Sequence, residues 1–107
     1  LRVPPAMPRE YIPRFCTDLS LPVKVQSRAL QLLADTEDHD ALAGRGPTGI
    51  AAASIYLAGI LEHNRRTQRE VADVAGVTEV TIRNRFKEMC GVLGLNPESP
   101  TDSETSE

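Results

Sequence analysis

The chain has 107 residues, two cysteines, no tryptophan and a formal net charge of −3 at neutral pH. That length suits one domain that buries its core without disulfide or metal clips. No apolar run approaches the roughly 20 residues that span a bilayer, and Leu1-Arg2-Val3-Pro4-Pro5 lacks the apolar centre of a signal peptide, so a soluble, intracellular, cytoplasmic protein is expected.

Hydrophobic residues make up 40% of the chain but aromatic ones only 4%, a mix that favours helices packed closely through small side chains. Cys16 and Cys90 are far apart and form no CxxC, so both read as core thiols, with no zinc cluster implied. Four of the fifteen acidic residues (Glu98, Asp102, Glu104, Glu107) fall in the last eleven positions, which hold no Lys or Arg. Residues 1–96 then carry twelve basic groups against eleven acidic ones, a net +1. That is weakly basic for a nucleic-acid binder.

In chain order, residues 1–8 carry three prolines and read as an extended linker. Tyr11, Ile12, Phe15, Cys16 and Leu19 repeat at helical spacing and predict a first helix, with Pro13 tolerable only in its first turn. Pro22 suits the first position of a second helix, whose stripe is Val25 or Val23, then Ala29, Leu30 and Leu33. The acidic run Asp35 to Asp40 around His39 reads as a solvated helix end. Its spacing fits no metal loop and it lacks the glycine an EF-hand requires, so no metal site is assigned.

Gly44-Arg45-Gly46-Pro47-Thr48-Gly49 precedes the most apolar segment. Glycine-rich turns before helices can cradle phosphate, but no strand precedes this one and GxxxxGK[ST] is absent, so a turn with Pro47 at the first helical position is the better reading. Arg45 is kept as a candidate DNA-backbone contact. From Pro47 to about His63 the chain is small and apolar on nearly every side, which places this third helix at the centre. His63 reads as a capping or surface residue, since no nucleophile and acid partner accompany it.

Arg65-Arg66-Thr67-Gln68-Arg69 is the densest basic cluster, and Thr67 with Glu70 fits a capping box opening a fourth helix. Its arginines either form a solvated face or meet DNA phosphates. Val71, Ala72 and Ala75 then run into Gly76-Val77, and Thr78 caps a fifth helix, which together spell a helix-turn-helix over 67–93. In that motif the second helix lies in the major groove. Ile82, Phe86, Met89, Cys90 and Leu93 follow the helical period toward the core. Val80 precedes Ile82 by two residues, about 200° round the helix, and so points outward with Arg83, Asn84 and Lys87 as neighbours. A valine for a thymine methyl and an arginine for guanine are what a groove reader needs. Val80 and Arg83 are therefore the candidate base-reading residues, with Arg45, Arg65, Arg66, Thr67, Gln68, Arg69, Thr81, Asn84 and Lys87 as backbone or accessory contacts.

The segments AGRGPTGIAAASIYLAGIL and RRTQREVADVAGVTEVTIRNRFKEM, with Glu10 to Phe15 before the first helix, resemble the second cyclin-like repeat of archaeal transcription factor B, related to eukaryotic transcription factor IIB. The resemblance covers about residues 1–95. It implies an all-α, five-helix cyclin-like box whose last two helices form the helix-turn-helix. It also implies a general initiation factor domain that binds promoter DNA upstream of the TATA box, at the B recognition element, together with TATA-binding protein, helping to recruit and orient RNA polymerase. The family's base-reading valine and arginine fall on Val80 and Arg83. The family's zinc ribbon and first repeat have no counterpart here, so this looks like a fragment that acts as a monomer. The domain itself spans 9–95, and the acidic tail at 96–107, rich in Ser and Thr, is expected to be disordered. The rival reading is a cyclin-box protein-interaction module that never meets DNA. An enzyme is not expected, because no nucleophile, metal or paired-carboxylate constellation is evident, and no cofactor is assigned.

Overall fold

The computed structural model describes residues 7–39, 42 and 44–96. The expected linker at residues 1–6 and the acidic tail from residue 97 onward lie outside the described residues, as does Asp40 of the acidic run. Five α-helices follow in order: α1 Pro8–Asp18, α2 Val23–Glu37, α3 Pro47–Leu61, α4 Gln68–Ala75 and α5 Glu79–Leu93. No strand occurs among the described residues, and the all-α, five-helix expectation holds.

The central element is α3, which packs against each of the other four helices. Every residue from Gly49 to Gly59 is buried, so the helix has no solvated face and needs none of the usual polar stripe. Its small residues let neighbours come close. A side-chain carbon on Gly49 would stand 2.9 Å from Thr81 Cγ2 of α5, and one on Gly59 would stand 2.9 Å from the carbonyl oxygen of Asn64. Around α3 the core gathers Ile12, Phe15 and Cys16 from α1, Val25, Ala29 and Leu33 from α2, Val71 and Ala72 from α4, and Ile82, Phe86 and Met89 from α5.

Two helix starts differ from the sequence reading. The first turn of α1 begins at Pro8, inside the expected linker, so Pro13 falls in the second turn. An interior proline costs a helix about 3 kcal/mol. Burying Ile12, Phe15 and Leu19 at roughly 1.5–3 kcal/mol each outweighs that cost. Pro22 occupies the N-cap of α2 with extended backbone (φ −73°, ψ 165°) rather than its first helical position, and its carbonyl accepts from Val25 and Gln26 N–H. Starting at Val23 resolves the open choice in the α2 stripe. Val25 is fully buried and Val23 is 75% exposed.

Left-handed backbone ends four of the five helices. Ser20 (φ +57°) and His63 (φ +60°) adopt left-handed backbone where glycine is more usual. At each, the following N–H reaches back five residues, Leu21 to Cys16 O at 2.8 Å and Asn64 to Gly59 O at 2.8 Å. His63 is thus an exposed helix-capping residue. Gly76 and Gly94 close α4 and α5 in the same left-handed conformation.

Candidate nucleic-acid interface

The α4–turn–α5 unit is held at three points by its own sequence. Thr67 Oγ1 accepts from Glu70 N–H at 3.0 Å while Glu70 Oε1 accepts from Thr67 N–H at 2.8 Å, a complete capping box. Gly76, at φ +73°, turns the chain as a residue with a side chain rarely can. Thr78 Oγ1 then accepts from Thr81 N–H at 3.1 Å and caps α5. Val71, Ala72 and Ala75 bury one face of α4, and Ile82, Phe86 and Met89 bury one face of α5.

That burial decides which edge of α5 meets solvent. Val80 is 55% exposed, one of three exposed large hydrophobic side chains among the described residues, with Met7 and Val23. Asn84 and Lys87 are exposed beside it, and Arg83 and Thr81 are half-buried on its flanks. A row led by valine, asparagine and lysine faces outward, one helix turn per step. On the α4 side, Arg65 and Arg69 are exposed and their side chains make no hydrogen bond or ion pair among the described residues. Thr67 is exposed, but its side chain is occupied as the α4 cap.

The remaining candidates are engaged within the fold. Arg66 Nε donates to Leu19 O at 3.1 Å, and its Nη atoms donate to Ser20 O and Arg65 O, each at 3.3 Å. It thereby ties the C-terminal end of α1, where carbonyls lack helical partners, to the entrance of α4. Arg45, before α3, meets Glu88 Oε2 of α5 at 3.2 Å. The same carboxylate holds Arg85, at 2.8 Å from Oε1 and 3.1 Å from Oε2. Glu88 and Arg85 escaped the sequence reading. Their spacing of three residues on one helix was the available signal, whereas the Arg45 contact spans 43 positions and has none.

Polar contacts also link the candidates to the core. Arg83 Nη2 donates to Gln68 Oε1 at 3.4 Å, and Gln68 Nε2 donates to Tyr56 Oη at 3.5 Å. The Tyr56 ring meets Phe86 edge-on, with centroids 5.2 Å apart and planes at 76°. Neither cysteine adds reactivity. Burial pushes the Cys16 thiol up to about 11 and raises that of Cys90, which is only half-buried at the edge of the core. The described residues contain no cluster of His, Cys, Asp or Glu able to hold a metal ion, and no helix among them is long and apolar enough to cross a membrane.

Residues 2–91 match the family model described as the transcription factor TFIIB repeat. The chain is 55% identical over 95 residues to a transcription initiation factor IIB of Archaeoglobus fulgidus, an alignment covering 89% of this chain and 29% of that protein. It is 56% identical over 96 residues to the transcription initiation factor IIB of Methanococcus maripaludis, covering 90% of this chain and 28% of that one. The chain thus spans less than a third of the length of these curated relatives, which are named as initiation factors rather than enzymes.

Proposed function

This chain belongs to the transcription factor TFIIB repeat family, and from that premise we propose that it reads promoter DNA through α5. In this reading α5 lies in the major groove upstream of the TATA box, at the B recognition element. Val80 packs on a thymine methyl, and the Arg83 guanidinium donates to the acceptors on a guanine edge. Arg65, Arg69 and Lys87 meet phosphates and set the register, and Thr81 and Asn84 are accessory contacts.

The observation that carries the reading is the exposure of Val80 beside Arg83 on the first turns of a helix whose opposite face is fully buried. Single exposed valines are common on protein surfaces, and Val23 is another here, but Val80 stands beside Arg83 on the first turns of α5, where a thymine methyl is its partner in this reading. With a net charge of only +1 outside the acidic last eleven residues, phosphate attraction alone is a weak source of affinity. Single modules of this size bury roughly 600–1,000 Å² on DNA. Stable occupancy therefore depends on TATA-binding protein and RNA polymerase, which this repeat helps to bring together at the promoter, inside the cell.

The test is a titration of the chain against promoter duplexes carrying the intact or the scrambled upstream element, alone and with TATA-binding protein. The intact element should bind more tightly, and Arg83→Ala should cost about 1–3 kcal/mol on it and flatten the preference. Equal affinity of the wild type for the two duplexes would overturn base reading and favour a cyclin-box module that binds only protein.

A further inference from the structure

We infer that Gln68 is a positioning residue for Arg83, aiming its guanidinium at the groove while leaving its charge intact. This role rests on the proposal that Arg83 contacts a base. The guanidinium has five N–H donors and no acceptor, so only the oxygen of the Gln68 amide can face it. With Oε1 on Arg83 at 3.4 Å, Nε2 is turned toward Tyr56 Oη at 3.5 Å. Both ends of that link are anchored. Tyr56 is 1% exposed and its ring is wedged against Phe86, while Gln68 is the first residue of α4, directly after the Thr67 capping box.

The other arginines beside α5 are held differently. Arg45 and Arg85 share the Glu88 carboxylate, at 3.2 and 2.8 Å. Charge-assisted contacts of that kind are roughly twice as strong as neutral ones, and they neutralise the cation. A long contact to a neutral amide does neither. It narrows the rotamers that Arg83 samples and yields when a guanine presents two acceptors. Ordering a long side chain before binding removes part of the entropy cost that association would otherwise bear. Gln68 therefore acts on discrimination through Arg83 and not as the phosphate contact that its sequence position suggests.

The 107-residue chain and its Gln68→Met variant, similar in length but without polar groups, provide the test. In the free protein, ¹⁵N relaxation at Arg83 Nε is expected to show a lower order parameter in Gln68→Met, with an unchanged melting temperature. Gln68→Glu, which keeps an acceptor, is expected to preserve that order. On DNA, Gln68→Met is expected to reduce the affinity ratio between intact and scrambled upstream elements about two- to tenfold, with binding to the scrambled duplex unchanged. In an Arg83→Ala background it should reduce the ratio no further. Equal weakening on both duplexes would mark Gln68 as a phosphate contact and overturn the inference. So would wild-type values of both the order parameter and the ratio in Gln68→Met, even where Arg83→Ala abolishes discrimination and base reading stands. A normal ratio in Arg83→Ala would remove base reading itself, and the positioning role with it.

Discussion

Replacing Gly49 by alanine tests how closely α3 and α5 are packed beneath the proposed reading edge. A Cβ there would lie 2.9 Å from Thr81 Cγ2 and 3.8 Å from Arg85 Cγ. Thr81 cannot easily rotate away, because its hydroxyl accepts from Thr78 Oγ1 at 3.0 Å within the α5 cap. Overpacking of a tight site costs roughly 1–3 kcal/mol, and a pinned neighbour argues for the upper part of that range. Alanine's better helix propensity returns at most about 1 kcal/mol, less at the third position of a helix. The net expectation is a loss of about 1–2 kcal/mol, which lowers the melting temperature by roughly 5–15 °C in a domain of this size. Thr81→Ser removes the one carbon in the way and retains the hydroxyl. Urea denaturation of both single variants and the double variant should therefore show strong coupling, with Gly49→Ala/Thr81→Ser close to Thr81→Ser alone. Additive losses, or a Gly49→Ala protein at least as stable as wild type, would refute the contact.

Arg66→Ala, which removes three donations to carbonyl oxygens, is expected to cost about 1–2 kcal/mol of stability. Arg69→Ala should stay within about 0.5 kcal/mol and instead lessen the salt dependence of DNA binding. Reversal of that pattern in thermal melts would exchange their roles. Glu88→Gln releases Arg45 and Arg85 from their shared carboxylate. It should tighten binding to scrambled DNA and steepen the log–log salt slope by roughly 0.9 for each phosphate gained, so an unchanged slope would show that neither arginine reaches the backbone. The buried Cys16 thiol titrates near 11 in place of its ordinary 9.0. A group whose folded value is raised contributes its full stabilisation below the unfolded value and loses it as pH rises through the folded one. Between pH 9 and 11 the wild type should therefore lose more stability than Cys16→Ser, as read by denaturation midpoints.

Periodicity and turn chemistry are local properties, and they determined the elements of this protein from sequence. The apolar run Ile50 to Leu61 could only be a surrounded helix. Thr67, Glu70, Gly76 and Thr78 carry their capping and turning roles within four residues of their partners. The outward edge at Val80 followed from its angular offset from Ile82, because a helix converts sequence spacing directly into direction. Where the reading failed, a local preference met a larger tertiary term. Pro13 sits inside α1 because the apolar residues around it bury more than the lost hydrogen bond costs.

The fate of the charged candidates was decided by tertiary structure alone. Nothing near Arg66 in sequence indicates that it seals the end of α1, 46 and 47 positions away. Arg45 likewise joins the local Arg85–Glu88 pair only once α3 and α5 have packed through Gly49. Long flexible cations choose partners across the whole surface, and no local rule ranks a distant carbonyl against a phosphate. Sequence thus determined where α5 points, and packing decided which arginines remain free to follow it.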